Sequence, residues 1–280
     1  MTNQHNSLLD AYRALAQKIV SQIKVPAVTD ILLPEPSATA KLDQFGFVIL
    51  ADGSAAPFYC SLESSFEQIQ QNLPHSGGAG LPLQVLLDGF NSHQLAQRAL
   101  ALGAFNAVSQ SLFLQSGFDP CKLPTGRDQA SPGLVGMVGF FRPLLARLLE
   151  QGNQILIVEK NRTRVELQPG VMLADDAAEL QRCDRILCTA STLINDSLPQ
   201  ILAHRREGVP FTLIGPSGSG LPDVLFEQGV DEVGGFRVQD VDSLVQQVRA
   251  GESWGKSGGK YSISAPDYPG VDSLLERVTG

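Results

Sequence analysis

The chain has 280 residues, 43% hydrophobic and 18% charged, which excludes wholesale disorder and leaves room for one large or two ordinary domains. Its net charge of −8 argues against electrostatic binding of nucleic acid, which needs a basic face to displace counterions. The polar start MTNQHNSLLD carries no export signal, and no apolar run nears the roughly 20 residues of a membrane helix, so a cytoplasmic protein is expected.

From the N-terminus, Leu8, Leu9, Tyr12, Leu15, Ile19 and Ile23 recur at helical spacing. Short extended segments follow at Ala27–Leu33 and Phe45–Leu50. Ala51-Asp52-Gly53-Ser54 reads as a hairpin turn, with Ala56–Cys60 returning antiparallel. Ser61–Leu73 is predicted helical, His75–Gly80 is a glycine-rich loop, and helices are predicted over Pro82–Phe90 and Ser92 to about Leu114. A meander followed by helices predicts an α+β domain over 1–118. The segment DPCKLPTGRDQASPG, residues 119–133, holds three prolines and two glycines and reads as a linker or long surface loop.

Beyond it the pattern changes. Four short apolar runs, Leu134–Val138, Ile155–Val158, Arg185–Cys188 and Phe211–Ile214, alternate with helical stretches near Pro143–Gln151, Asp176–Cys183 and Asn195–Arg206. A weaker strand starts at Glu232. This predicts an α/β domain over 134–250, a parallel sheet covered by helices, with 251–280 as a tail.

Each run ends on small or polar residues: Gly139 with Phe140 and Phe141; Glu159, Lys160 and Asn161; Thr189, Ser191, Thr192 and Asn195; Gly215, Pro216 and Ser217. In a parallel sheet these fall on one edge, the carboxyl edge, where ligands bind at the point of strand-order reversal. Glu159 lies twenty residues after Gly139, the spacing at which Rossmann-type units place an acid on a ribose hydroxyl. Plainer readings stay open. Gly136 and Gly139 fall short of GxGxxG and serve equally as a tight turn. Glu159 reads also as a solvated strand end. Thr189, Ser191 and Thr192 read also as helix caps, and Gly215–Gly220 as a loop.

Other constellations are poor. His5, His75, His93 and His204 lack metal-ligand spacing, and no GxSxG elbow is present. Cys60, Cys121, Cys183 and Cys188 form no CxxC and read as reduced thiols.

The segments GAFNAVSQSLF (103–113), VGMVGFFRPLLARL (135–148), ILIVEKN (155–161), CTASTLINDSLPQIL (188–202) and FTLIGPSGSGLPDVLFEQGVDEVGGFRVQD (211–240) together resemble the putative heavy-metal chelation family. That resemblance implies a Rossmann-like domain preceded by one similar to the N-terminal domain of enolases. It also implies a cleft between the two, with site positions at Asn106, Gly139, Glu159, Thr189 to Asn195, Gly215 to Ser217 and Asp240. The chain departs from the family pattern at Ala190, usually glycine, and at Lys160, usually arginine.

Soft metals prefer thiolates or thioethers, whereas Asn106, Glu159 and Asn195 offer oxygens suited to hard cations or organic ligands. The reading is therefore a protein binding a small polar or anionic molecule, including a metal complex or chelator, with Phe140 and Phe141 as an apolar wall. Its cofactor stays open between a metal ion and a nucleotide type. The alternative is an enzyme using NAD or an S-adenosylmethionine-like cofactor with Glu159 on the ribose. A homodimer is the base-rate expectation.

Overall fold

The computed structural model describes residues 7–35, 44–74, 77–124 and 131–280. His5, His75, Ser76 and the middle of the expected linker, 125–130, lie outside the described residues.

Helix α1 (Leu8–Gln22) opens on a capping box, in which Ser7 Oγ accepts from the Asp10 amide and the Asp10 carboxylate accepts from the Ser7 amide. Strands β1 (Val28–Leu32), β2 (Phe45–Leu50) and β3 (Ala55–Tyr59) form the expected antiparallel meander. Short helices α2 (Ser65–Asn72) and α3 (Leu83–Leu87) lead to α4 (Leu95–Gln115). The long helix has no polar stripe because it is buried on almost every side, from Ala101 to Phe113 without a break. Gly103 brings it onto the meander, since a Cβ there would stand 2.5 Å from the Phe58 ring.

The larger sheet is built from β4 (Leu134–Val138), α5 (Arg142–Glu150), β5 (Gln154–Val158), β6 (Val171–Leu173), β7 (Arg185–Thr189), α6 (Leu198–Ala203), β8 (Phe211–Ile214), α7 (Asp223–Glu227) and β9 (Glu232–Val238). Helix α8 (Val241–Arg249), strand β10 (Gly258–Ser264) and helix α9 (Val271–Thr279) complete it. Its order is β10-β9-β8-β7-β4-β5-β6, parallel from β9 to β6, with β10 antiparallel at one edge. The class is α/β, as expected.

The structure corrects several details. Residues 251–280 are no tail: β10 pairs with β9 over seven residues, and Leu274 and Leu275 of α9 enter the main core. The stretch 176–183 forms a 3-10 helix over Ala177–Arg182 rather than an α-helix, with Leu180 its one fully buried residue. Strand β6 was not anticipated. The described end of the expected linker is packed, with Pro120 buried and Asp119 paired to Arg237 at 2.9 Å.

One hydrophobic cluster runs through both halves, joining Val48, Phe58 and Phe105 to Ile186, Phe211 and Tyr261. A second lies under α5. A third fills the opposite face of the meander, where Phe47 and Ile49 meet Leu244 and Val248 of α8 and Trp254. Strand β2 is thus covered on both faces, which explains its unbroken apolar sequence FGFVIL. Trp254, the single tryptophan, stands edge-on to Phe45 and Phe47 of β2 and to Phe236 of β9, at centroid distances of 5.6, 5.1 and 4.9 Å. No helix of the described residues is long and apolar enough to cross a membrane.

Candidate functional site

Counted from β4, the sheet runs 3-2-1-4-5-6 with a seventh, antiparallel strand, and its order reverses between β4 and β7. Connections leave in opposite directions at such a reversal, the place where open parallel sheets bind ligands at their carboxyl ends. Gly139 turns the chain out of β4 at φ +84° and donates its N–H to Val158 O at 2.9 Å. A Cβ at Gly139 would lie 3.0 Å from Thr189 Cγ2, so the first turns after β4 and β7 touch. Phe140 and Phe141 are half-buried and pack on the cluster under α5. Helix α5 has no side-chain cap, and with Pro143 at its second position only the Arg142 and Leu144 amides precede its first intrahelical bond, from Leu145 N to Phe141 O.

Glu159, half-buried, follows β5, the neighbour of β4. Its Oε1 accepts from the Asn161 amide at 2.9 Å, and exposed Asn161 accepts from the Thr163 hydroxyl through Oδ1. Thr189 caps the 3-10 turn Ala190–Leu193, accepting from the Ser191 amide at 3.3 Å, with the two hydroxyls 3.0 Å apart. Both residues are half-buried. Thr192 is buried and donates to Thr189 O at 2.7 Å. Asn195 Oδ1 accepts from the Ser197 amide at 3.2 Å and hydroxyl at 2.6 Å, which sets up the start of α6. Capping is thus real for Thr189, while Thr192 bonds back to Thr189 O and Asn195 holds the turn before α6; the Thr189–Ser191 hydroxyl pair stands at the carboxyl edge.

A second group forms the joint between the halves. Gly215, at φ +123°, and Pro216 lead from β8 into buried Ser217. Ser217 Oγ accepts from the Tyr59 amide at 2.8 Å, and Ser217 O accepts from Asn106 Nδ2 at 2.9 Å. Asn106, 1% exposed, donates also to Pro57 O at 3.1 Å. These side chains therefore tie β3 and α4 to the loop after β8. Asp240, exposed, caps α8 by accepting from the Ser243 amide. Glu159 and Asp240 follow strands four places apart, roughly 19 Å at normal strand spacing. No single small ligand spans both.

Reasoning from sequence missed a third feature. A cavity of about 450 Å³ lies between the hairpin turn at Asp52–Ala55, α4 and the end of β9, with Gln110, Asp119 and Arg237 in its wall. The hairpin turn in its wall was predicted, but nothing in the sequence joined Asp52 to Gln110, Asp119 and Arg237.

The cysteines test a resident soft metal. Cys60, Cys183 and Cys188 are buried and Cys121 is half-buried, all with free thiols. Desolvation pushes the Cys60 and Cys188 thiols up to about 12 and Cys183 up to about 11, and raises Cys121. They stay protonated at neutral pH. Among the described residues no group of three or more His, Cys, Asp or Glu side chains is placed to hold a metal ion. The donor set does not fit a resident heavy metal.

A family model described as putative heavy-metal chelation matches residues 124–265, half of the chain. The chain belongs to the putative heavy-metal chelation family. An uncharacterized protein of Methanocaldococcus jannaschii is 25% identical over 253 residues, 84% of this chain and 92% of that relative. Two family members of unknown function have solved structures that share the fold. The one from Pyrococcus horikoshii is 18% identical, covers 92% of this chain and all of its own, and has a TM-score of 0.67. The one from Desulfitobacterium hafniense is 22% identical, covers 91% of this chain and 98% of its own, and has the same TM-score. Both matches extend well beyond 124–265, so the N-terminal meander and helices belong to the shared fold.

Proposed function

We propose that the chain binds a small polar or anionic ligand at the carboxyl edge where the sheet order reverses, between the turns after β5, β4 and β7. One observation carries this reading. Half-buried Glu159, the Gly139 turn, the uncapped start of α5 and the Thr189–Ser191 hydroxyl pair converge on adjacent strands. Amides at a helix start and paired hydroxyls recognise anionic oxygens. Exposed Lys160 adds a cation beside them, and the Glu159 carboxylate accepts from ligand hydroxyls. A metal complex or a free chelator falls within this class, its metal carried by the ligand's own donors rather than by thiols. Four unpaired cysteines suit a cytoplasmic setting, where thiols stay reduced.

A second reading draws on the strand order. The dinucleotide-binding arrangement places an acid at the end of the strand next to the first, and Glu159 holds that place after β5. Among the described residues only its Oε1 is engaged. The reading lacks a three-glycine turn.

Titration calorimetry with citrate, nickel citrate, NAD and S-adenosylmethionine separates the two. Losing one hydrogen bond to a charged group costs about 1.5–3 kcal/mol, tenfold or more in affinity. Ser191→Ala and Glu159→Gln should each weaken a ligand held here by that factor. Preference for citrate or its nickel complex favours the binder, and Glu159-dependent binding of NAD or S-adenosylmethionine favours the cofactor reading. Binding unaffected by both substitutions refutes the location.

A further inference from the structure

The cavity beside β9 is a different place from the order reversal, and its wall is chemically specific. Its volume, about 450 Å³, falls within the range of about 300–1,000 Å³ typical of small-molecule sites. On the β9 side stands Arg237, whose Nη1 donates to Asp119 at 2.9 Å. Its other guanidinium N–H groups have no hydrogen-bond partner among the described residues, although the side chain is only 19% exposed.

On the hairpin side stands Asp52, its carboxylate fixed by the Ser54 amide at 2.9 Å and the Ser111 hydroxyl at 2.6 Å. Between them, on α4, Gln110 is 4% exposed. Its Nε2 donates to Ser219 O at 2.7 Å and to Tyr261 Oη at 3.1 Å, and Tyr261 itself donates to Ser219 O. Two acceptors on one side fix the amide orientation. Oε1 is thereby left buried with no hydrogen-bond partner, a costly state for an acceptor unless a donor arrives.

We infer that this cavity is a second binding site, selective for small zwitterions of the α-amino acid class. The free edge of Arg237 takes a carboxylate. The Asp52 carboxylate takes an ammonium group, with Gln110 in the wall between the two charges. A plain anion is disfavoured, because Asp52 and Asp119 give the wall two negative charges against one positive. A plain cation leaves the guanidinium edge without a partner. Leu114, Val238 and Val241 add apolar wall, which favours an aliphatic side chain over a charged one.

Trp254 reports on the cavity, because Ala55, Val238 and Val241 share its small cluster. The test compares L-leucine with 4-methylpentanoate, which lacks the amine, and isopentylamine, which lacks the carboxylate. Calorimetry and Trp254 fluorescence on the full chain are the readouts. Leucine should bind saturably and each half-analogue about tenfold more weakly or worse. Asp52→Asn should erase the preference for leucine over 4-methylpentanoate, and Arg237→Gln the preference over isopentylamine.

Arg237→Gln leaves Asp119 with only the longer pairing to exposed Lys122, at 3.8 Å. Should it fail to fold, Arg237→Lys should keep leucine binding within a few-fold, and exposed Asp52→Asn still decides the charge preference. Glu159→Gln should leave leucine binding unchanged, whatever ligand the order-reversal edge takes. No saturable binding of leucine, equal binding of all three compounds, or loss of leucine binding in Glu159→Gln overturns the assignment.

Discussion

Asn106→Ala separates a structural joint from a ligand contact. The wild-type amide donates at 2.9 Å to Ser217 O and at 3.1 Å to Pro57 O, inside a region where Asn106 is 1% exposed. Removing it deletes two hydrogen bonds of about 1 kcal/mol each and leaves the buried Ser217 carbonyl unpaired, which costs about 1–3 kcal/mol more. Against that, Asn106 Oδ1 is itself a buried acceptor with no partner, and its loss returns part of the cost. The expected destabilisation is about 2–4 kcal/mol. Trp254, edge-on to both β2 and β9, reports on this joint. Urea unfolding followed by its fluorescence should show the shift, alongside circular dichroism for the whole chain. Asn106→Asp should cost more at neutral pH, since a carboxylate then faces two carbonyl oxygens. The deficit should shrink in acid, where the protonated form donates again. An alanine variant that unfolds like wild type yet loses a ligand bound by the parent protein would refute the joint and place Asn106 in a binding site.

Gly139→Ala should lower stability by about 1–2 kcal/mol in thermal melts, because alanine disfavours a left-handed backbone, and its Cβ would sit 3.0 Å from Thr189 Cγ2. Asn195→Ala should cost about 1 kcal/mol through the lost turn bonds to Ser197, whereas Glu159→Gln should stay within about 0.5 kcal/mol; equal losses in urea titrations would give Glu159 a structural role. A thiol reagent at pH 8 should modify Cys121 first and the other three cysteines only on unfolding. The folded chain holds the Cys188 proton up to about 12, while the unfolded thiol releases it near 8.5. Stability should therefore fall as pH rises across that window, which unfolding at pH 8 and pH 10.5 would check.

The sheet was legible because strands buried on both faces read as apolar runs, and because a parallel sheet sends each following turn to one edge. Gly139, Glu159, Thr189 and Ser191 were found by that rule alone. Strand β10 escaped because GGKYSIS is glycine-rich and its partner is β9, a pairing that no local pattern announces. Helix α8 was missed although Val241, Leu244, Val245 and Val248 hold helical spacing; its apolar face meets the meander nearly two hundred residues earlier in the chain. Asn106 and Ser217 looked like ligand groups for a related reason. Each is a polar residue at an informative place, and only the fold shows that they bond to each other across 111 positions. Arg237 and Asp119, 118 positions apart, are the converse case.

The family description and the cysteines pull in different directions, and geometry decides between them. Cys183 and Cys188 bracket β7, one before it and one near its end, roughly 16 Å apart at strand rise. Cys60 follows β3 in the other half of the fold, and Cys121 lies under β10 near Gly259. Gathering three such sulfurs around one ion requires dismantling the core that protonates them. On the proposed reading, a metal would therefore be held by oxygen and nitrogen groups of the ligand that carries it. The two proposed sites share the carboxyl edge of a single sheet. The Asn106–Ser217 joint stands between them, so softening it should loosen both sites together, while substitutions at either site should leave the other intact.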